Sequence, residues 1–192
     1  MYFAKSGDAA IKKANRSETD ESIGTAAATD LCWVATRIRE WKAAGPTKAL
    51  QEEELLLFAA RVARASSAIH EACIRILRNQ YGVSCAVKFN NYESVHSATK
   101  RGVFSNSERE AYDAFRVFRN QMSHVINTAT AVHSLLSHEG EALKRFADQL
   151  EAIGEKIQAL MLQEQEKKIV SALENECRSV APAESGGLKN PL

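Results

Sequence analysis

The segment FRVFRNQMSHVIN, residues 115–127, carries the side chains of this chain best suited to chemistry: Arg116, Arg119, Asn120 and His124. Histidine has an ordinary pKa of about 6.5, so His124 can exchange protons near neutral pH. Arg119 or Arg116 offers a planar guanidinium fork that matches phosphate oxygens. Together they suit phosphoryl chemistry without a metal. The other reading of the same residues is a solvated helical face with an incidental histidine.

A helix advances by roughly 100° per residue, which sorts the segment into two faces. Phe115, Phe118, Met122, Val125 and Ala129 fall on one side, with Ile126 at its edge, and are expected to face the core. Asp113, Arg116, Asn120, His124 and Asn127 fall on the other at helical spacing, so they form an outward ridge. Arg119 lies at the boundary and is long enough to reach round. A second arginine and histidine at a similar interval, Arg64 and His70, lacks a polar residue after the arginine and is read as structural.

Helices are expected to position that ridge. Thr29 or Asp30 caps a first helix through Leu31, Val34, Ala35, Ile38 and Trp41, which stops at Gly45-Pro46. Thr47 then caps a longer one, with the stripe Leu55, Phe58, Val62, Ala65, Ile69, Cys73 and Ile76 running to Tyr81-Gly82. VSCAVKF reads as a short strand or an irregular crossing, and Asn90-Asn91 as a turn before a short helix from Tyr92 to Lys100 that Gly102 closes. Ser105 or Ser107 caps a third long helix that reaches about Ser137 and contains the quoted segment. Leu143, Phe146, Leu150, Ile153, Ile157 and Leu160 mark a last one, extended through Leu173.

The expected fold class is therefore all-α, an up-and-down bundle of four main helices plus one short helix. Residues 1–28 read as a flexible N-terminal arm, 29–178 as a single helical-bundle domain and 179–192 as a flexible C-terminal tail. With 192 residues and 45% hydrophobic content, the chain can bury one core. Its 25 Lys and Arg against 24 Asp and Glu leave a formal charge of +1, so any contact with RNA must be local rather than driven by a broad basic field. Cys32, Cys73, Cys85 and Cys177 show neither a CxxC pair nor zinc spacing, and no secretory h-region opens the sequence. A reduced, cytoplasmic protein is the expectation, with Cys32 and Cys73 as small buried hydrophobes. No apolar run approaches the roughly 18 residues that span a bilayer, so no membrane partner is expected.

The run Arg119-Asn120-Gln121-Met122-Ser123-His124 resembles the signature of the HEPN superfamily: an arginine, a polar residue, three further residues and a histidine. The order of elements in RGVFSNSEREAYDAFRVFRNQMSH is similar too, and the likeness covers about 29–162. Members are small helical bundles, many of them ribonucleases of toxin-antitoxin or phage-defence systems. The resemblance implies that His124 acts as general acid or base on the RNA 2′-hydroxyl or the leaving oxygen, that Arg119 holds the phosphate, and that Asn120 orients them. It also implies a homodimer with a composite active site, no cofactor, no metal and an antitoxin or other regulatory protein as a possible partner. Arg116 would be an added RNA phosphate contact by position alone. Family toxins paired with nucleotidyltransferases often carry tyrosine two residues after the histidine; here that residue is Ile126. The alternative function is a non-catalytic helical module of the same fold that binds a nucleotide or protein partner through the ridge or the last helix.

Overall fold

In the computed structural model, backbone is described for residues 5–45, 50–122 and 128–180, and side chains for 20–45, 50–122 and 128–175. Among the described residues there are six α-helices, one 3-10 turn and no strand. The elements are α1 (Lys5–Ala44), α2 (Glu52–Tyr81), a 3-10 turn (Ser84–Lys88), α3 (Asn91–Lys100), α4 (Asn106–Met122), α5 (Thr128–Leu136) and α6 (Gly140–Val180). Among them no helix is long and apolar enough to cross a membrane.

Local chemistry explains the boundaries. Gly82 takes a left-handed φ of 65°, which ends α2 and lets the Val83 amide donate to the Leu77 carbonyl at 3.0 Å. The Asn90 side chain accepts from the Glu93 amide at 3.0 Å while the Glu93 carboxylate accepts from the Asn90 amide at 2.8 Å, a capping box that starts α3. Ser105 and Glu108 repeat the device ahead of α4, at 3.2 and 2.6 Å. Glu108 also accepts from Lys156 on α6 at 2.8 Å, so the cap is tied to the bundle.

Helices α1 and α6 lie antiparallel. Arg39 reaches Asp148 and Glu151, Ala28 faces Gly154, Gly24 faces Met161, and Asp20 meets Lys168. Two glycines set the approach: a Cβ on Gly154 would stand 3.0 Å from the Ala28 Cα, and one on Gly24 would stand 2.9 Å from the Met161 Cβ. Trp41, Phe58 and Phe118 then join α1, α2 and α4, with ring centroids 4.9 and 6.0 Å apart. Leu31, Ile38, Ile69, Tyr112, Leu150 and Ile153 fill the rest of the buried centre.

Several sequence expectations change. The first helix does not begin at Thr29: α1 is helical from Lys5, so the expected flexible arm over 1–28 is largely part of it. Its contacts with α6 use Gly24 and Ala28 together with the buried carboxylate of Asp20, and the close backbone approach there leaves little room for large apolar side chains. The VSCAVKF segment is a 3-10 turn in which Ala86 alone is buried. The expected third long helix, from Ser105 or Ser107 to about Ser137, is described as α4 to Met122 and as α5 from Thr128 to Leu136, and residues 123–127 lie outside the described residues. Cys73 is buried, and burial pushes its thiol up to about 12; Cys32 is exposed, with its sulfur 4.0 Å from Glu151. Thr47 and residues 181–192 of the expected tail lie outside the described residues, whereas α6 runs to Val180.

Candidate nucleic-acid site on α3 and α4

Helix α4 presents two faces. Ala111, Tyr112, Phe115, Phe118 and Met122 are buried, as the projection requires. Asp113, Arg116 and Asn120 occupy the opposite side, and Arg119 is half-buried at the boundary. His124 and Asn127, the continuation of the expected ridge, and Val125 of the expected core stripe lie outside the described residues.

The capped start of α3 faces this side of α4 and encloses an open concavity of about 610 Å³, lined by Asn90, Asn91, Tyr92, Arg116, Arg119 and Asn120. The Arg119 Nη1 donates to the Asn120 Oδ1 at 2.9 Å. The partner is a neutral amide oxygen, and among the described residues no carboxylate pairs with Arg119. The Arg116 guanidinium carbon sits 5.4 Å from the Tyr92 ring centroid, within cation–π range. Its nearest carboxylate is Asp113, at 3.8 Å from Nε, and that carboxylate also accepts from Arg109 at 3.2 Å. The Arg116 Nε is itself buried without a hydrogen-bond partner. Tyr92 in turn lies nearly parallel to His96, with 11° between the rings and centroids 5.5 Å apart.

Asn91 links the site to the core. Its Nδ2 donates to Ser66 Oγ on α2 at 3.1 Å, and Ser66 is fully buried. Tyr112, one turn before Arg116 on α4, is also buried. Burial pushes its phenol up to about 12, and the positive charges of Arg119 and Arg116 pull only weakly the other way. It stays protonated at neutral pH and serves packing.

Of the residues proposed from sequence, Arg116, Arg119 and Asn120 gather at this concavity, and His124 lies outside the described residues. Arg64 and His70 do not form a site. Arg64 donates to the buried carboxylate of Asp30 through both Nε and Nη2, while His70 Nδ1 pairs with Ser94 Oγ at 2.9 Å. Sequence reasoning missed Asn90, Asn91 and Tyr92 as lining residues. The signal was present as Asn90 and Glu93, the spacing of a capping box, but it reads as a helix start and carries no information on which helix it will face. Among the described residues no three His, Cys, Asp or Glu side chains gather in a metal-binding arrangement. Comparison with family models, with curated proteins and with solved structures finds no match.

Proposed function

We propose that the chain is a metal-independent endoribonuclease of the HEPN type, acting in a toxin-antitoxin or phage-defence setting and cutting RNA at the α3 and α4 concavity. The observation that carries this reading is the pair Arg116 and Arg119, which open onto the concavity with no carboxylate within hydrogen-bond distance among the described residues. Such a pair suits the oxygens of a phosphodiester. Arg119, held by Asn120, stabilises the charge that builds on the phosphoryl oxygens as the 2′-oxygen attacks phosphorus. His124, five positions on in sequence, takes the 2′-hydroxyl proton or gives one to the departing 5′-oxygen. The products are a 2′,3′-cyclic phosphate and a 5′-hydroxyl end. A homodimer would bring two such ridges together.

A non-catalytic binding module is favoured by a different feature. Leu162, Ile169, Val170 and Leu173 are exposed along the second half of α6, where a protein partner could pack. Incubating the purified protein with mixed RNA in excess EDTA separates the two readings, with His124→Ala and Arg119→Ala beside it. The nuclease reading expects cyclic phosphate ends from the wild type and a loss of about 10²–10³-fold in each folded variant. Intact RNA, or equal cutting by both variants, removes it.

A further inference from the structure

Trp41 is the bulkiest of the fully buried side chains, yet its indole Nε1 is buried without a hydrogen-bond partner. A donor left unpaired out of water carries a cost that a phenylalanine in its place would avoid, so the group calls for an acceptor from elsewhere. The ring packs on Phe58, 4.9 Å between centroids, and also lines a cavity of about 350 Å³ between the end of α1, the approach to α2 and the end of α5. That cavity is where an acceptor could stand.

The rest of the lining narrows the chemistry. Leu50 and Leu136 are half-buried walls beside the indole, so the body of a ligand there must be apolar. Lys42 also borders the cavity, and its Nζ donates to the carbonyls of Leu136 at 2.8 Å and His138 at 2.9 Å. Those two bonds hold the ammonium in place against the end of α5 and leave it a third N–H. Among the described residues no carboxylate pairs with it. Ser137 gives its hydroxyl proton to the Ser134 carbonyl at 2.7 Å and adds no donor. Two donors against apolar walls, one of them cationic, are complementary to the two oxygens of a carboxylate.

We propose that this cavity binds a small carboxylate with an apolar body, whose oxygens accept from the Trp41 Nε1 and the Lys42 ammonium while the body lies against Leu50 and Leu136. Its lining shares no residue with the α3 and α4 concavity, so the site stands whether or not the chain cuts RNA. The space is at the lower end of the range for small-molecule pockets and admits a single substituted ring.

Benzoate is the probe, titrated into the isotope-labelled full chain to about 20 mM, above the Kd of roughly 10 mM that a weak ligand of this size shows. The sequence has two tryptophans, so the spectrum holds two indole N–H resonances, and Trp33→Phe assigns them. The Trp41 resonance is expected to shift saturably while that of Trp33 stays nearly still. Benzyl alcohol, which keeps the ring and lacks the charge, should bind more weakly. Trp41→Phe removes the N–H and keeps an aromatic ring in the core; binding read from the benzoate signal should weaken roughly 10- to 150-fold, the range for one hydrogen bond to a charged group. Thermal melting of Trp41→Phe guards against a folding effect, and the wild-type shift needs no core variant at all. A Trp41 resonance that does not move, equal binding of benzoate and benzyl alcohol, or benzoate binding that survives Trp41→Phe would each overturn the proposal. An unmoved resonance with a cross-peak to water would make a buried water the acceptor and end it too.

Discussion

Arginines do opposite work at the two sides of this bundle. Along the seam of α1 with α2 and α6, each is clamped by acid. Arg39 meets Glu151 and Asp148, both at 2.6 Å; Arg61 and Arg64 converge on Asp30; and Arg75 is shared between Asp20 and Glu71. Two of those carboxylates, Asp20 and Asp30, are at most 1% exposed, so the arginines exist to satisfy charges already taken from water. At the α3 and α4 concavity Arg119 meets an amide oxygen, and Arg116 lies over a tyrosine ring with the Asp113 carboxylate no nearer than 3.8 Å from its Nε. Residue type is the same in both regions. What differs is how closely the fold supplies an anion, and the proposed function rests on that difference.

The same double substitution made in each region tests that contrast most strongly. Arg61→Met with Arg64→Met leaves the carboxylate of Asp30 buried and unpaired, and unfolding should become easier by about 3–5 kcal/mol. Arg116→Met with Arg119→Met removes no partner of a buried acid. Its stability should change by about 1 kcal/mol or less, while the RNA cleavage proposed above should fall by about 10²–10³-fold. Denaturant melts and cleavage rates per folded molecule read both. If the concavity pair melts as far as the seam pair, or if the seam pair alone loses cleavage, the division of labour is wrong.

Helix approach gives a second way to sharpen the comparison, because the seam is tight and the concavity open. Gly154→Val would push a branched side chain into the backbone of Ala28, where even a Cβ sits at 3.0 Å, and should cost about 1–3 kcal/mol through overpacking. Ala152→Val, on the exposed side of α6 two residues earlier, meets only the helix propensity of valine and should cost less than about 0.7 kcal/mol. Equal costs at the two positions would mean that α1 and α6 do not approach as closely as the glycines allow.

These examples mark what was legible in the sequence. The α2 stripe from Phe58 to Ile76 keeps helical spacing because one face meets a core of large side chains, and it is buried where expected. The α1 seam upstream of Thr29 was not legible: a helix that docks through Gly24 and Ala28 shows no strong apolar period, and the ion pairs of Asp20 join residues far apart in the chain. Arg116, Arg119 and Asn120 could be grouped from spacing within one helix. Tyr92 and Asn91 could not, since their place beside Arg116 depends on how α3 packs against α2 and α4.

The smallest expected effect concerns His70, the histidine on the structural side of the comparison. Burial holds its pKa below the ordinary value, against a weaker upward pull from Glu71, and its Nδ1 is paired with Ser94 Oγ. In the unfolded chain the same ring titrates near its ordinary value of about 6.5, so below that pH the unfolded state binds the proton first. The contribution to stability is therefore complete above about pH 6.5 and is lost as pH falls toward the folded pKa, at no more than about 1.4 kcal/mol per pH unit. Burial would also raise the Asp30 carboxyl, but hydrogen bonds from Arg64 and Arg61 outweigh it and hold that pKa below the ordinary value. Asp30 therefore destabilises the fold only in a lower window, beneath the carboxylate range, and the two losses are separable. Denaturant midpoints measured for wild type and His70→Gln should diverge in slope just below pH 6.5 and run parallel above it. Parallel curves throughout would mean that His70 is as open to water in the folded chain as in the unfolded one, and the line between a buried structural histidine and an available one would need another criterion than its partner.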